Sequence, residues 1–454
     1  MKRPFIFLAA TGLFSSAATY AQKQLPNIIY IFTDQQTATA LSCAGNTDIN
    51  TPNMDRLALE GIRFVNAYCA APLSTPSRSA MMTGVPPGAL GTLQNGAILK
   101  SPYSENTIGT LLKEKGYDCG YAGKWHLPES DIPDGKYGFK KIYEHNDYGL
   151  AEACVEFLSE KRDKPFFLVA SFDNPHNICE YARGQNLFYA TLEEPPIGDC
   201  PNLPANFAVA PFDAEVIRTE QAANTQIYPV ANFSADDWRR YRNAYYRLVE
   251  TVDKELGKIF SALDKQKLWN NTIVIFSSDH GDGNAAHKWN QKSALYEETT
   301  NIPFIVRLPE QNKRGIIKDQ LVNNGIDFFA TVCDYAGVMP PTYCHGKSLR
   351  NVLEEKNQDF NDVVVTETLF DEGTTKGWLV RTKDYKYILY DKGLYREQLY
   401  DMRTDRLEMV NLAVEKKYKN ILEEHRRLLN SWHEKNNIPK DRRATPLVPV
   451  VLLP

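Results

Sequence analysis

Carboxylates follow two apolar runs that predict buried strands, at residues 27–33 and 272–277. Asp34 follows the first run and Asp279 the second. Ligands of parallel sheets bind beyond the carboxyl ends of the strands, and carboxylates there suit a hard divalent cation. Gln35 adds an amide oxygen. Either aspartate alone is better explained as a helix cap or a turn residue, but the two at matching strand ends predict a metal site.

Lysines and imidazoles form a second group. If the segment Gly-Lys-Trp-His-Leu is extended, the side chains of Lys124 and His126 lie on the same side of it, because side chains alternate along a strand. A fixed cation beside an imidazole suits an oxyanion and a proton transfer. Taken alone, the motif is better explained by a surface lysine and a core histidine. His176, just past the run at 165–171, is otherwise a loop histidine, and Lys292 is otherwise a solvated helix lysine.

The stretch Ser-Thr-Pro-Ser-Arg at residues 74–78 predicts a turn that enters a helix. Pro76 suits the first helical turn, where its missing N–H costs nothing. Ser74 is explained by itself as an N-cap. The chemistry of this segment therefore depends on the rest of the chain.

Strands and helices alternate over the first three quarters of the sequence. This order predicts a mainly parallel sheet with helices on both faces. The predicted strands are 27–33, 165–171, 272–277 and 302–307, and the predicted helices are 52–61, 105–116, 149–160, 235–264 and 324–337.

Two further regions do not follow this alternation of long strands and helices. Residues 179–234 are rich in Pro, Asn and Ala and predict a long surface excursion that shapes a substrate cleft. Beyond about residue 345, short runs with turn signals between them predict a smaller C-terminal α+β subdomain with an antiparallel sheet. Its predicted strands are 363–368, 378–382, 385–390 and 398–401, and its predicted helix is 416–432.

The composition and the N-terminal residues indicate which partners the protein does not bind and where it is located. The 454 residues are 43% hydrophobic and 24% charged, with a net charge of −4, which argues against nucleic-acid and anionic-membrane binding. Residues 1–21 read as a signal peptide, with Lys2 and Arg3 before a short apolar run. No cysteine follows that would carry a lipid anchor. We expect an exported protein, periplasmic or secreted, with a catalytic domain at 22–350 and the subdomain at 351–454.

Eight cysteines are too few for a disulfide scaffold. Cys179–Cys200 and Cys333–Cys344 are the nearer candidate pairs. No Cys-x-x-Cys motif suggests zinc or redox chemistry. The expectation is buried free thiols with at most one bridge.

Taken in order, the motifs resemble type I sulfatases over nearly the whole mature chain. The segment at 74–84 resembles the family's Cys/Ser-x-Pro-x-Arg signature, and Gly-Lys-Trp-His-Leu and Ser-Asp-His-Gly-Asp resemble two later blocks. The segment Leu-Tyr-Asp-Met…Glu-Met-Val-Asn-Leu at 399–412 is similar to a C-terminal signature. The resemblance implies an alkaline-phosphatase-like catalytic domain and a hydrolase of sulfate esters.

The resemblance also implies a nucleophile and a metal. Ser74 would be oxidised to formylglycine, whose hydrate attacks the sulfur of a sulfate ester. One Ca²⁺ would be held by Asp34, Gln35, residue 74, Asp279 and His280. The metal would draw charge from a sulfate oxygen and lower the pKa of the nucleophile.

The remaining roles follow in the same way. Arg78 would hold and polarise the hydrate, and Lys124 and Lys292 would neutralise the sulfuryl group. His176 would protonate the leaving alcohol, and His126 would be the base that releases sulfate. Lys124, His176 and Lys292 would therefore also contact the substrate.

Four positions need separate comment. Gln35 stands where the family has a second Asp, and His280 stands where Asn is common, so His280 ligates the metal or contacts the sulfate. His287 is expected at the substrate, where it reaches the leaving group or orients a neighbour. Ser74 replaces the commoner Cys and requires a maturation enzyme of the anaerobic radical type.

The resemblance implies a sulfated carbohydrate as substrate, and we expect a glycosaminoglycan of heparan or chondroitin type. Two alternatives remain. One is a phosphomonoesterase or phosphonate hydrolase of the same architecture, in which unmodified Ser74 attacks. The other is an inactive protein that only binds sulfated glycans. The oligomeric state is not readable from the sequence.

Overall fold

The computed structural model describes residues 25–309, 314–370, 373–439 and 442–443. The predicted signal peptide lies outside these residues. In the described part of the chain, no helix is both long enough and apolar enough to cross a membrane.

An eight-stranded sheet forms the centre of the molecule. Its order is β4-β3-β5-β1-β6-β7-β2-β8. All neighbouring pairs are parallel except those of β7, which runs antiparallel to β6 and β2. The strands are β1 Asn27–Asp34, β2 Ile62–Tyr68, β3 Asp118–Gly123, β4 Lys140–Tyr143, β5 Phe166–Pro175, β6 Thr272–Ser278, β7 Phe304–Arg307 and β8 Ile316–Asn323.

Helices cover both faces of this sheet, as predicted. Along β1, Ile29 and Ile31 pack into one core, and Tyr30 and Phe32 pack into the other. The helices are α1 Pro52–Glu60, α2 Ser74–Thr83, α3 Pro87–Leu90, α4 Ile108–Glu114, α5 Leu150–Ser159, α6 Ile178–Ala182, α7 Glu215–Ala223, α8 Ala235–Lys265, α9 Glu297–Thr300, α10 Ile326–Ala336, α11 Arg350–Leu353 and α12 Lys419–Lys435.

The longest helix, α8, shows how the sequence fixes its boundaries. Ser234 accepts a hydrogen bond from the N–H of Asp237, and the Asp237 carboxylate accepts the Ser234 N–H in return, which is a capping box. Its buried residues recur at three- and four-residue spacing, including Trp238, Tyr241 and Tyr245. That spacing gives one apolar face, which packs on the sheet.

A second, four-stranded antiparallel sheet follows toward the C-terminus, in the order β12-β11-β10-β9. One face packs on α12 through the buried side chains of Trp378 and Val380. The other face packs through Leu379 and Ile388 on the catalytic domain. The strands are β9 Val364–Leu369, β10 Lys376–Arg381, β11 Tyr385–Tyr390 and β12 Glu397–Asp401.

The predicted fold class is confirmed, with differences in detail. The sequence missed β2, β3, β4 and β8. The 350/351 domain boundary falls at the first residues of α11 and stays a prediction. All eight cysteines are free thiols, so neither candidate disulfide forms. Cys179 instead donates to the Gln35 amide oxygen at 3.6 Å, and Cys344 donates to the Thr83 carbonyl at 3.2 Å.

Candidate active site

Four adjacent parallel strands bring the predicted site residues to one edge of the sheet. In the order β3-β5-β1-β6, the carboxyl ends lead into Lys124, His176, Asp34 and Asp279. This is where open α/β sheets place their ligands.

Ser74 lies at the same edge of the sheet but belongs to a helix, α2. It is the first residue of α2, and all ten residues of that helix are buried. Its Oγ lies 3.2 Å from Asp34 Oδ2 and 3.1 Å from His280 Nε2. The start of a helix also carries positive partial charge, which favours an anion here.

The oxygens around His280 have the spacing of a metal site. Its Nε2 lies 3.1 Å from Ser74 Oγ, 3.6 Å from Asp34 Oδ1 and 3.7 Å from Asp279 Oδ1. Ligands at right angles around an ion at 2.3–2.6 Å would be separated by roughly 3.3–3.7 Å. The other ring nitrogen, Nδ1, lies 3.0 Å from the Gly281 carbonyl, which assigns the proton to Nδ1 and leaves Nε2 free to coordinate. These residues therefore fit a divalent cation.

Gln35 lies beside this group but turns its amide elsewhere. Its Oε1 accepts from Lys292 Nζ at 3.1 Å, and its Nε2 donates to Asp282 Oδ2 at 2.7 Å. Only its backbone N–H reaches a predicted metal ligand, Asp279 Oδ1, at 3.1 Å. Metal ligation by Gln35 stays a prediction.

Arg78 ties the two aspartates together. It is 1% exposed, and it donates from Nε to Asp279 Oδ2 and from Nη2 to Asp34 Oδ2, both at 2.9 Å. Its Nη1 donates to the Lys124 carbonyl at 2.7 Å and to Ser171 Oγ at 2.9 Å. The planar fork thus satisfies four acceptors at once, which a lysine could not do.

Lys124 bridges two buried carboxylates. Its Nζ lies 2.7 Å from Asp34 Oδ2 and 2.7 Å from Asp173 Oδ1. Burial would raise the pKa of Asp34, but the positive field, with Lys124 foremost, holds that pKa well below its usual value. The pKa of Lys124 is raised despite its burial, because Asp173 and Asp34 favour the charged form. The site is therefore ionised at neutral pH.

Both predicted acid–base histidines have neutral rings. Burial, with Lys124 and Arg78 nearby, lowers the pKa of His126 to about 3. Burial and the two cations Lys124 and Lys292 hold the pKa of His176 well below its usual value. The His126 carbonyl accepts from Thr75 Oγ1 at 2.8 Å, which fixes His126 beside the start of α2.

Lys292 is held by a loop of unusual backbone geometry. Several non-glycine residues of this loop have positive φ, namely Asn284, Ala285, His287, Lys288, Gln291 and Ser293. Such conformations are costly for L-residues and persist only where the surroundings enforce them. The loop is fastened at its far end, where Ser293 N donates to the Pro72 carbonyl at 3.0 Å and the Ser293 carbonyl accepts from Thr368 Oγ1 at 2.7 Å.

The structure does not bring His287 into contact with Ser74. Its ring stacks on Tyr296 with centroids 4.3 Å apart, and it forms a separate group with Glu298 and Glu408. Burial and neighbouring carboxylates raise the pKa of Glu408, although the ion pair with Lys386 opposes the shift. Substrate contact by His287 stays a prediction, and its surroundings favour a role in positioning the loop.

Two further carboxylates belong to the site and were not predicted. Asp173 holds Lys124, as described above. Asp282 accepts from Gln35 and from Tyr241, whose hydroxyl lies 3.0 Å from both carboxylate oxygens. Each stands within a motif already singled out, two or three residues from a predicted site residue. That proximity is the signal by which they could have been found.

Comparison with known proteins identifies the family. The sulfatase family model matches residues 26–338, and the model of the N-sulphoglucosamine sulphohydrolase C-terminal region matches residues 285–435. The Δ4,5-hexuronate-2-O-sulfatase of Bacteroides thetaiotaomicron is 33% identical over 92% of this chain and 90% of its own length. The N-acetylglucosamine-6-O-sulfatase of the same organism is 27% identical over 96% of this chain and 92% of its own length.

Solved structures agree with this assignment. A 2-O glycosaminoglycan sulfatase superposes with a TM-score of 0.81 at 30% identity, over 91% of this chain and 93% of its own. A phosphonate monoester hydrolase of Agrobacterium radiobacter shares the fold, with a TM-score of 0.74 at 20% identity, over 90% of this chain and 96% of its own. The expected alkaline-phosphatase-like architecture is thereby confirmed. The chain belongs to the sulfatase family and is a sulfuric ester hydrolase.

Proposed function

We propose that this sulfatase removes the 2-O sulfate of a hexuronate in a glycosaminoglycan fragment. The proposal also includes one Ca²⁺ and oxidation of Ser74 to formylglycine. The observation that carries the chemistry is the position of Ser74 Oγ, 3.2 Å from Asp34 Oδ2 and 3.1 Å from His280 Nε2. The observation that favours the uronate is the relative at 33% identity, which acts on Δ4,5-hexuronate 2-O-sulfate.

The donors around residue 74 favour Ca²⁺ over softer ions. Asp34, Asp279 and residue 74 offer oxygen, and His280 offers one nitrogen, which is an unusual ligand for calcium. When bound, the metal supplies positive charge at a sulfate oxygen, and formylglycine supplies a hydrated aldehyde as nucleophile.

The chain's own cations would receive the sulfate. Lys124 and Lys292 are 4% and 6% exposed, so their charges act in a region from which water is largely excluded. An anion beside them would meet charges already in position, which is the main electrostatic contribution to catalysis in such sites. Arg78 orients Asp34 and Asp279 by donating a hydrogen bond to a carboxylate oxygen of each.

The two histidines suit opposite halves of the reaction. His126 has an Nδ1 atom without a partner among the described residues, and its lowered pKa keeps the ring neutral, so that this nitrogen is free to act as a base near residue 74. Burial, together with the field of Lys124 and Lys292, opposes protonation of His176. An arriving sulfate anion would offset the field of the two lysines and favour uptake of a proton from solvent, which His176 would then donate to the leaving oxygen.

Export to the periplasm or the exterior, and maturation by an enzyme that accepts serine, belong to the same proposal. Both rest on the sequence, through residues 1–21 and Ser74. Formylglycine would make the Ser74 peptide from the native host lighter by about 2 Da, measured by mass spectrometry. An unmodified peptide would favour the phosphoryl-transfer alternative, and analysis showing two zinc ions would do the same.

The substrate is tested with unsaturated disaccharides that carry one sulfate each. We expect desulfation of the uronate 2-O isomer, measured by chromatography of the products, and little release from the glucosamine 6-O isomer. The Ser74→Ala protein is the matched inactive control. Preferential release of the 6-O sulfate would refute the proposed position, although not the sulfatase chemistry.

A further inference from the structure

Three aromatic side chains form an exposed surface that leads away from the catalytic site. Tyr148 is 57% exposed and Phe188 is 66% exposed, and both rings contact Tyr189, with centroids 6.1 Å away in each case. Large aromatic side chains exposed together on a protein are a mark of a binding surface. We call Tyr148, Phe188 and Tyr189 the aromatic platform.

Short contacts connect the aromatic platform to the sulfate-binding cations. The Tyr189 hydroxyl donates to the His145 carbonyl at 3.1 Å. His145 Nε2 lies 3.3 Å from Asp173 Oδ1, the atom that holds Lys124 Nζ at 2.7 Å. The platform is therefore linked to Lys124 through His145 and Asp173.

Hydrogen bonds to the end of β5 hold the platform in place. Asn177 Oδ1 accepts the backbone N–H of Phe188 at 2.7 Å and of Tyr189 at 3.2 Å. The Asn177 amide donates to Asp173 Oδ2 at 3.3 Å. On the other side, the Tyr143 hydroxyl donates to the Tyr148 carbonyl at 2.6 Å. The backbone that carries the three rings is therefore held in place before any ligand arrives, which lowers the entropy cost of binding.

Charge does not explain this surface. The nearest charged group of the site, Asp173, is already paired with Lys124, and the platform itself carries no charged side chain. A flat apolar surface with hydroxyl groups at its edge suits the C–H face of a pyranose ring, which is apolar, while its hydroxyls point outward.

We propose that the aromatic platform binds the second sugar of the substrate, the residue linked to the sulfated one. This inference rests on the proposed function only in taking the substrate to be an oligosaccharide. The occupant is fixed by continuity, because a glycan whose sulfate lies at Ser74 and Lys124 must leave the site past an adjoining surface. Recognition there depends on ring contact and not on sulfation of the second sugar.

The first test is direct binding, which needs no turnover. In the Ser74→Ala background, calorimetry compares a glycosaminoglycan disaccharide with the corresponding sulfated monosaccharide. Adding Tyr148→Ala and Phe188→Ala should reduce the ratio of disaccharide to monosaccharide affinity by about tenfold or more, because burying an aromatic face contributes roughly that much. Met339→Ala, which truncates a 90% exposed apolar side chain, is the control and should leave the ratio unchanged.

The second test separates this inference from the substrate assignment. In the active protein, the same pair of substitutions should raise the KM ratio of disaccharide to monosaccharide by a similar factor, and the effect should persist at high salt because it is not electrostatic. An equal loss of affinity for both ligands, or none for either, would overturn the platform. Failure of the wild-type protein to desulfate uronates would overturn the proposed substrate alone, because the binding ratio is measured without turnover.

Discussion

Asp173→Asn tests whether Lys124 must be held between two carboxylates. The substitution preserves shape, and the amide oxygen can still accept a hydrogen bond from Lys124 Nζ, which lies 2.7 Å from Asp173 Oδ1. A hydrogen bond to a charged group contributes about 1.5–3 kcal/mol, roughly twice a neutral one. The amide should therefore lose about 0.8–1.5 kcal/mol, which corresponds to a roughly 4- to 13-fold fall in kcat/KM.

Asp173→Ala removes the acceptor altogether. The full interaction is then lost, and the expected fall in kcat/KM is roughly 10- to 150-fold. Both variants are assayed on a sulfated disaccharide, and Asp163→Asn, an aspartate on the exposed surface, is the matched control. If Asp173 acts by orienting Lys124, kcat/KM should fall in steps from the wild type to Asp173→Asn and then to Asp173→Ala. Wild-type activity in the Asn variant, or activity as low as that of Ser74→Ala, would refute this reasoning.

The pH dependence of stability gives an independent check. Although burial opposes it, Lys124 and His145 lower the pKa of Asp173 below its usual value. A lowered folded-state pKa stabilises the protein above the unfolded pKa, near 4, and this contribution is lost as the pH falls further. The difference in unfolding free energy between wild type and Asp173→Asn should therefore be constant above about pH 5 and shrink below about pH 4.

Four further predictions follow from the same contacts. Ser74→Ala should abolish turnover with the melting temperature nearly unchanged, and Lys347→Ala, remote from the site, should be nearly silent in the same assay. Arg78→Ala should lower the free energy of unfolding by about 3–5 kcal/mol, measured with denaturant, because it leaves Asp34 and Asp279 short of a buried partner. Treatment with a calcium chelator should remove activity and lower the melting temperature, and Ca²⁺ but not Mg²⁺ should restore both. Burial raises the pKa of Glu367 to about 7. The stability that the protonated side chain contributes is therefore lost as the pH rises through 7. Between pH 5 and pH 8, the melting temperature of Glu367→Gln should rise relative to that of the wild type.

The sequence predicted the part of the fold that is buried on both faces. β1 and β6 are continuous apolar runs, and the strand-end argument places Asp34 and Asp279 at one edge of the sheet. The missed strands are the two at each side of the sheet, β4 and β3 on one side and β2 and β8 on the other, and they escaped detection because they mix polar with apolar or small residues. In β8, for example, Ile317 is 63% exposed while Leu321 is buried, so no apolar run marks the strand.

The site was predicted less completely, and the reason lies in its loops. Lys292 and His287 are five residues apart, and the sequence predicted both at the substrate. The intervening chain passes through left-handed conformations at Lys288 and Gln291, which no helical or strand period encodes. As a result the chain directs the two side chains into different surroundings. Asp173 was overlooked because a carboxylate before Asn-Pro reads equally well as a turn residue.

The complete burial of Ser74 limits the time at which this residue can be modified. The active site of a maturation enzyme is too large to close around a side chain that is 0% exposed in the folded chain, so we expect the oxidation that we propose to occur while the chain is still open around α2. The strand before it, β2, pairs with β8, where Ile62 meets Ile316, and α10 packs on α2 through Gly325 and Ala80. In a chain that has not yet reached β8 and α10, the Ser74 segment would lack both of these partners and would remain accessible. Folding and the oxidation of Ser74 would then compete. A substitution that hastens closure of the sheet would yield a stable protein in which Ser74 is oxidised in a smaller fraction of the molecules.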